Sequence, residues 1–100
     1  MNHIIDFYLI QETKQKDSTG QTTTQKTFVL RTGTQRSVYQ NEFYKAEQAG
    51  LRPQGMITMS SFDYSGEAFI KIGTQEFSIY RVYYSGTDKV ELYYGERVGN

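Results

Sequence analysis

Any catalytic reading of this chain starts from His3, its single histidine. A general base must be held within hydrogen-bond reach of the proton it takes, and a side chain at the third position is expected to be loosely held. No cysteine is present, so thiolate chemistry and disulfides are excluded and zinc has no ligand cluster. Asp6, Glu42, Glu91 and Glu96 could meet in space as a carboxylate group, but solvated surface carboxylates are the simpler reading. The acidic residues lack the spacing of a calcium loop. The nine glycines occur singly, in turn contexts and not as a phosphate-cradling loop. The expectation is a protein with no catalytic residue, cofactor or metal.

Binding chemistry is better supplied. Tyr80, Tyr84 and Tyr93 could stack on the bases of a single-stranded nucleic acid, with Lys71, Arg81 and Lys89 as backbone contacts. Such a site also needs a basic groove. Here Glu67, Glu76 and Glu91 lie beside those cations, and eleven basic residues balance eleven acidic ones over the chain. Contact with another protein fits better. Tyrosine and arginine are enriched in interface cores, and a small all-β domain has strand edges to pair or cover. No apolar run approaches the roughly 20 residues of a membrane span. The first ten residues, MNHIIDFYLI, show no basic region followed by a long apolar core, so a signal peptide is not expected.

These residues need a scaffold, and the clearest part of it is Glu67 to Tyr84. Apolar and polar residues alternate through two arms around Gly73-Thr74, and Gly in the first loop position suits a type II′ hairpin turn. A two-residue loop sets Ile72 opposite Gln75, Lys71 opposite Glu76, Ile70 opposite Phe77 and Ala68 opposite Ile79. Upstream, residues 56–62 read as a strand, and a turn at Asp63 to Gly66 would place Ile57 opposite Ile72 and Met59 opposite Ile70. Downstream, a four-residue loop at Ser85 to Asp88 would pair Tyr83 with Val90 and Ile79 with Tyr94. The result is a four-stranded meander with one apolar face: Ile57, Met59, Ala68, Ile70, Ile72, Phe77, Ile79, Tyr83, Val90, Leu92 and Tyr94. Arg81 falls on that face as well, which requires either a carboxylate partner or a bulge that turns it outward. The other face carries Tyr80, Val82, Tyr84 and Tyr93.

Ahead of the meander, residues 4–12 and 28–38 read as two strands, the first apolar on both faces and the second with Gly33 as a bulge or bend. Between them, residues 13–27 contain no large apolar residue, and Asp17-Ser18-Thr19-Gly20 is a turn signature. This stretch reads as a solvated hairpin tip or as a loop that orders on a partner. Tyr39, Phe43, Ala46 and Gly50 fall on one helical face. Gly50 and Pro53 stop that helix, and Phe43 and Ala46 are expected to dock it. The fold expected is mainly β: a small closed or partly open barrel or sandwich of about six antiparallel strands. One short α-helix is expected at about 39–49. Residues 1–100 form one domain in this reading, with a polar loop at 13–22 and a helix plus loop at 37–55.

The run from Arg36 to Pro53, RSVYQNEFYKAEQAGLRP, resembles the signature of phage head-closure proteins, the connector or stopper proteins of long-tailed bacteriophages. The matching positions are Ser37, Glu42-Phe43-Tyr44, Ala46, Gln48, Gly50-Leu51 and Pro53. SFDYSGE, from Ser61 to Glu67, is similar to the family's Phe-x-Tyr-x-Gly-Glu hairpin, and IYRVYY followed by DKVELYYGER resembles its closing strands. Tyr39-Gln40-Asn41 departs from the small, cap-forming residues usual before the helix. The resemblance implies a structural virion protein at the phage neck, assembled in the bacterial host cytoplasm. It implies a homo-oligomeric ring, of six or twelve subunits, that closes the DNA-filled head under the portal and adaptor and presents a docking surface to a tail-terminator or tail-completion protein. Double-stranded DNA would pass through without sequence-specific binding. A monomer in isolation is compatible with such a ring. Tyr44, Leu51, Arg52 and Pro53 would lie at a subunit contact, joined by Tyr80, Tyr84 and Tyr93. The loop residues Asp17, Ser18, Thr19 and Gly20, and the segment 50–55, would face the channel or a neighbouring ring. The alternative is a small β-barrel adaptor for a protein partner or for single-stranded nucleic acid.

Overall fold

The computed structural model describes residues 3–38, 46–48 and 50–97. They form six antiparallel strands: β1 (His3–Lys16), β2 (Thr22–Arg36), β3 (Leu51–Ser60), β4 (Phe69–Ile72), β5 (Gln75–Ser85) and β6 (Lys89–Arg97). A 3-10 turn, Ser61–Asp63, lies between β3 and β4, capped by the Ser60 side chain, which accepts from the Phe62 amide. The strands close into a barrel in the order β1-β2-β3-β6-β5-β4. The expected mainly-β fold of six strands is thus observed. Most of the helix expected at about 39–49, including Tyr39, Phe43 and Tyr44, lies outside the described residues. Residues 46–48 are helical, and Ala46 is fully buried.

The β4–β5 hairpin has the register expected from its two-residue loop: Ile72 opposite Gln75, Lys71 opposite Glu76 and Ile70 opposite Phe77. Gly73 has φ +61°, as a II′ turn requires, and among the described residues no non-glycine has a positive φ. The Ile79 amide donates to the Ala68 carbonyl at 2.9 Å, one pair beyond the ladder.

The meander forms only in part: β4, β5 and β6 are consecutive antiparallel neighbours as expected, but β3 does not pair with β4. β3 pairs with β6, Ile57 opposite Leu92 and Met59 opposite Val90, and its other edge meets β2 at Thr34–Arg36. β4 pairs instead with β1 through Tyr8, Leu9 and Ile10. Residues 61–68 are therefore a crossing segment and not a hairpin turn. Core membership survives because side-chain direction depends on parity along the strand, not on which neighbour the strand takes. Ile57, Met59, Ile70, Val90, Leu92 and Tyr94 pack with Phe7, Leu9 and Tyr64 in one core. Ile5, Ile72, Phe77 and Ile79 are partly buried against it.

Two expected members of that face, Ala68 and Tyr83, are exposed. The β5–β6 connection has three residues, Gly86 to Asp88, so Ser85 faces Lys89 and Tyr83 faces Glu91 on the outside. The register shifts between Ile79 and Arg81, which returns Ile79 to its place opposite Tyr94. That bulge answers the question posed by Arg81. It turns the guanidinium outward opposite Tyr93, where it sits 4.6 Å from the ring centroid. It also moves Val82 and Tyr84 to the side of Leu92 and Val90.

Three further expectations change. Residues 50–55 are not a loop, because β3 starts at Leu51 and its only irregularity lies between Pro53 and Gly55. Residues 13–22 are mostly ladder, with Lys16 opposite Thr22. Gly33 makes no bulge and pairs regularly with Ile5. A β-carbon there would lie 2.7 Å from Ile57 Cγ2 and 2.8 Å from the Thr58 carbonyl oxygen. The glycine serves close strand approach.

Candidate functional site

The β1–β2 hairpin runs well past the barrel. Fourteen residue pairs join the two strands, but β4 reaches only Tyr8 to Ile10 and β3 only Thr34 to Arg36. From Gln11 to Thr27 every residue is exposed, and the backbone ladder of the two strands joins them only to each other and to the turn; side chains tie the arm to the barrel at Gln11, which donates to Glu67, and at Lys26, which pairs with Glu76 at 3.4 Å. Asp17 organises that turn. Its Oδ1 accepts from the Thr19 amide at 2.9 Å, the Thr19 hydroxyl at 2.7 Å and the Gln21 amide at 2.9 Å. The bond from the Thr19 side chain, with that from the Gln21 amide, holds its carboxyl below the usual range. Gly20 takes φ +88° and donates its amide to the Asp17 carbonyl. Asp17, Ser18, Thr19 and Gly20 thus form the exposed end of an ordered arm, not a slack loop.

The arm has two chemically different faces. Gln11, Thr13 and Gln15 stand opposite Thr27, Gln25 and Thr23, so one face carries only amides and hydroxyls. The other carries Glu12, Lys14, Lys16 and Lys26 with Thr22 and Thr24. Uncharged Gln and Thr side chains can exchange hydrogen bonds with a neighbour without desolvating an ion.

The remaining candidates fall in two groups. Leu51 is buried, Arg52 is exposed and ion-paired to Glu96 at 3.2 Å, and Pro53 is half-buried opposite Gly95. Glu96 also accepts from Gln75 Nε2 at 3.0 Å, which links β3, β5 and β6 at one end of the barrel. Tyr80 and Tyr93 pack with ring centroids 6.4 Å apart. Tyr93 is buried, and its hydroxyl donates to Glu91 at 2.8 Å. Glu91 in turn lies 3.8 Å from Arg36. Tyr84 stands apart from this cluster with 57% of its surface exposed. Tyr44 is outside the described residues.

A polar network closes the barrel mouth under the arm. Glu67 is 9% exposed, and its carboxylate accepts from Gln11 Nε2 at 2.9 Å and from the Ser65 amide at 2.8 Å. Tyr64 donates its hydroxyl to the Glu67 carbonyl at 2.7 Å. Burial by itself would raise the Glu67 carboxyl, but the Gln11 and Ser65 bonds and the Arg31 guanidinium together hold it below its ordinary value. Burial, with the Glu67 charge and Tyr84, pushes Tyr64 up to about 12, so it stays a donor. Beside this network lies an open pocket of about 420 Å³ lined by Ile10, Gln11, Glu12, Glu67 and Phe69 among others.

A lowered folded-state pKa gives stability that is complete above the unfolded value and lost as pH falls through the folded one. Glu67 therefore contributes a loss of stability that begins below about pH 5 and grows as the medium is acidified. Glu67→Gln is expected to flatten the fall of the urea midpoint over that acidic range. An unchanged slope would show that the carboxylate is not held as described.

Sequence reasoning missed the outer face of the hairpin base. Tyr8 stands opposite Leu30 and Ile10 opposite Phe28. Phe28 meets Tyr8 edge-on at 6.4 Å, and Lys71 Nζ lies 4.9 Å from its ring. Ile10 is buried on this outer face, flanked in register by Phe28 and Phe69. The signal was the run of apolar residues on both parities of β1, legible as two covered faces but not as an exposed one. Phe62, on the 3-10 turn, is 81% exposed and was also missed. Among the described residues no group of three or more His, Cys, Asp or Glu could hold a metal ion, and no helix is long and apolar enough to cross a membrane. Comparison with known protein families, curated proteins and solved structures found no match.

Proposed function

We propose that this protein is a ring-forming connector of the neck of a long-tailed bacteriophage, which closes the DNA-filled head below the portal and adaptor and receives the tail. The observation that carries this reading is the arm from Gln11 to Thr27. It is ordered by its own ladder and by Asp17, and it contributes no buried side chain to its own barrel. A ring subunit needs heterologous contacts with its neighbours, and a stiff arm beyond a closed barrel supplies reach without exposing the core. The motifs from Arg36 to Pro53, Ser61 to Glu67 and Ile79 to Arg97 support the same reading by resemblance. Equal numbers of basic and acidic residues suit a passage through which DNA must slide without being held.

The test uses DNA-filled, tailless heads that carry portal and adaptor rings. The full chain should add a ring of density below the adaptor and stop DNA loss. A variant in which Asn-Gly replaces residues 12–26, joining the partners Gln11 and Thr27, keeps the hairpin register. It should fold as a barrel yet retain DNA about tenfold less well, the loss of a central contact. Heads that leak equally with and without the full chain would refute the proposal.

A further inference from the structure

We infer that the free edge of β2, from Thr22 to Phe28, takes an extended acidic segment of a partner protein as an added antiparallel strand. This inference does not rest on the neck reading. The Asp17 amide donates to the Gln21 carbonyl at 2.9 Å. Hydrogen-bonded and non-hydrogen-bonded pairs alternate along an antiparallel ladder, and the register runs without a shift from Lys16–Thr22 to His3–Gln35. Thr23, Gln25 and Thr27 therefore bond to β1, and the amides and carbonyls of Thr22, Thr24, Lys26 and Phe28 point away from it. Among the described residues no strand meets them there, because β3 reaches β2 only at Thr34 to Arg36. The edge ends at Arg31, whose guanidinium donates to the Leu30 and Asp63 carbonyls. Every residue from Thr22 to Phe28 is exposed.

An edge of this kind is normally blunted by proline, a bulge, a covering segment or an outward lysine. This stretch has no proline, and its ladder has no bulge. Its single charge, Lys26, reaches to 3.4 Å from Glu76 of β5, on the opposite side of β1 from the free edge. The unpaired backbone selects an extended polypeptide, which supplies the missing donors and acceptors at the same spacing. Charge selects which one. β2 contains Lys26, Arg31 and Arg36 and no carboxylate, and β1 places Lys14 and Lys16 opposite Thr24 and Thr22 on the same face as Lys26. A segment with carboxylates opposite Lys26 and Thr22 and an apolar residue opposite Phe28 complements that row. The Lys26–Glu76 pair, with side chains 47% and 42% accessible, is weak enough to yield to it. A second copy is the poorer occupant: its β2 would bring no carboxylate to Lys26, and the free part of its β1 would bring Glu12 together with Lys14 and Lys16.

The probe is the blocked peptide Ile-Thr-Glu-Thr-Val-Thr-Glu, written so that its first residue lies opposite Phe28 and its first glutamate opposite Lys26. Titrated into the full chain up to about 1 mM, it should slow amide exchange at Thr24, Lys26 and Phe28. Thr23, Gln25 and Thr27 should change little, since they are already bonded to β1. Replacing the peptide's glutamates by lysine should weaken binding about tenfold. N-methylation of its first glutamate, whose amide faces Lys26, should abolish binding, and methylation of the threonine before it, whose amide faces solvent, should not. Thr24→Pro removes an edge amide that β1 does not use. It should weaken the peptide about tenfold or more and leave the urea midpoint nearly unchanged. The peptide controls leave the chain itself unaltered, so they decide the matter whether or not that variant folds. No protection at about 1 mM, equal protection on both parities, or indifference to the N-methyl group overturns the inference. So does equal binding of the glutamate and lysine peptides, or a chain that pairs with itself along β2 instead.

Discussion

Ile70→Ala should destabilise the protein by about 2–5 kcal/mol, a large part of the ~5–15 kcal/mol expected for a domain of this size. Ile70 is fully buried and stands opposite Leu9 of β1 on one side and Phe77 of β5 on the other. β4 has four residues and meets β1 at three positions, so it is the narrowest stave of the barrel. Shortening Ile70 leaves a cavity at the seam that closes the ring of strands. A thermal scan should show the midpoint falling by about 8 °C or more. Phe62→Ala is the matched control. Phe62 is as large and apolar but 81% exposed, and its loss should change stability by less than about 0.5 kcal/mol. Similar effects from the two substitutions would mean that Ile70 is not in the core.

Gly33→Ala should cost about 1–3 kcal/mol for the opposite reason, overpacking. The added methyl would fall 2.7 Å from Ile57 Cγ2, 2.8 Å from the Thr58 carbonyl oxygen and 3.1 Å from Phe7 Cε1. One of these atoms is backbone and the other two belong to fully packed core side chains, so no flexible group can yield. Relief requires β2 and β3 to separate where they share only Thr34 to Arg36. Amide exchange at those three residues should accelerate more than exchange in the β3–β6 ladder. A denaturation midpoint equal to that of the parent chain would show that the strands do not approach as described.

What the chain revealed in advance follows the range of the interaction concerned. Gly73-Thr74 set the β4–β5 register because a two-residue turn leaves no freedom in which residues face each other. The strand partner of β3 had no such marker. Asp63 to Gly66 carries turn residues, and nothing local distinguishes a hairpin turn from a crossing segment that delivers β4 to β1. Pairing between β3 and β6 joins residues about thirty or more positions apart, and only the whole barrel decides it. The core was legible all the same, since Ile57, Met59, Ile70 and Leu92 keep their inward parity with either neighbour. Arg81 on an apolar face was the one visible sign of the bulge, which explains both its outward turn and the exposure of Tyr83.

The candidate surfaces divide in the same way. Asp17 to Gly20 were legible because turn chemistry is local. The hairpin tip beneath them was legible too, but not how far its ladder runs, because Thr and Gln on both sides of the turn carry no apolar alternation to mark where pairing gives way to loop. Tyr93 was expected on an interface and is mostly buried against Tyr80 and Arg81 within the chain. Aromatic residue type alone does not distinguish those two uses. The patch of Tyr8, Phe28 and Leu30 escaped notice because Phe28 and Leu30 lie on the parity that faces away from the core.

Closure of the sheet through β4 and the crossing of β3 to β6 place every surface discussed above, and cross-strand nuclear Overhauser effects test both at once. Contacts from Leu9 to Ile70 and from Ile57 to Leu92 are expected, with none between Ile57 and Ile72. Strong Ile57-to-Ile72 contacts without any between Leu9 and Ile70 would describe an open meander and contradict this architecture.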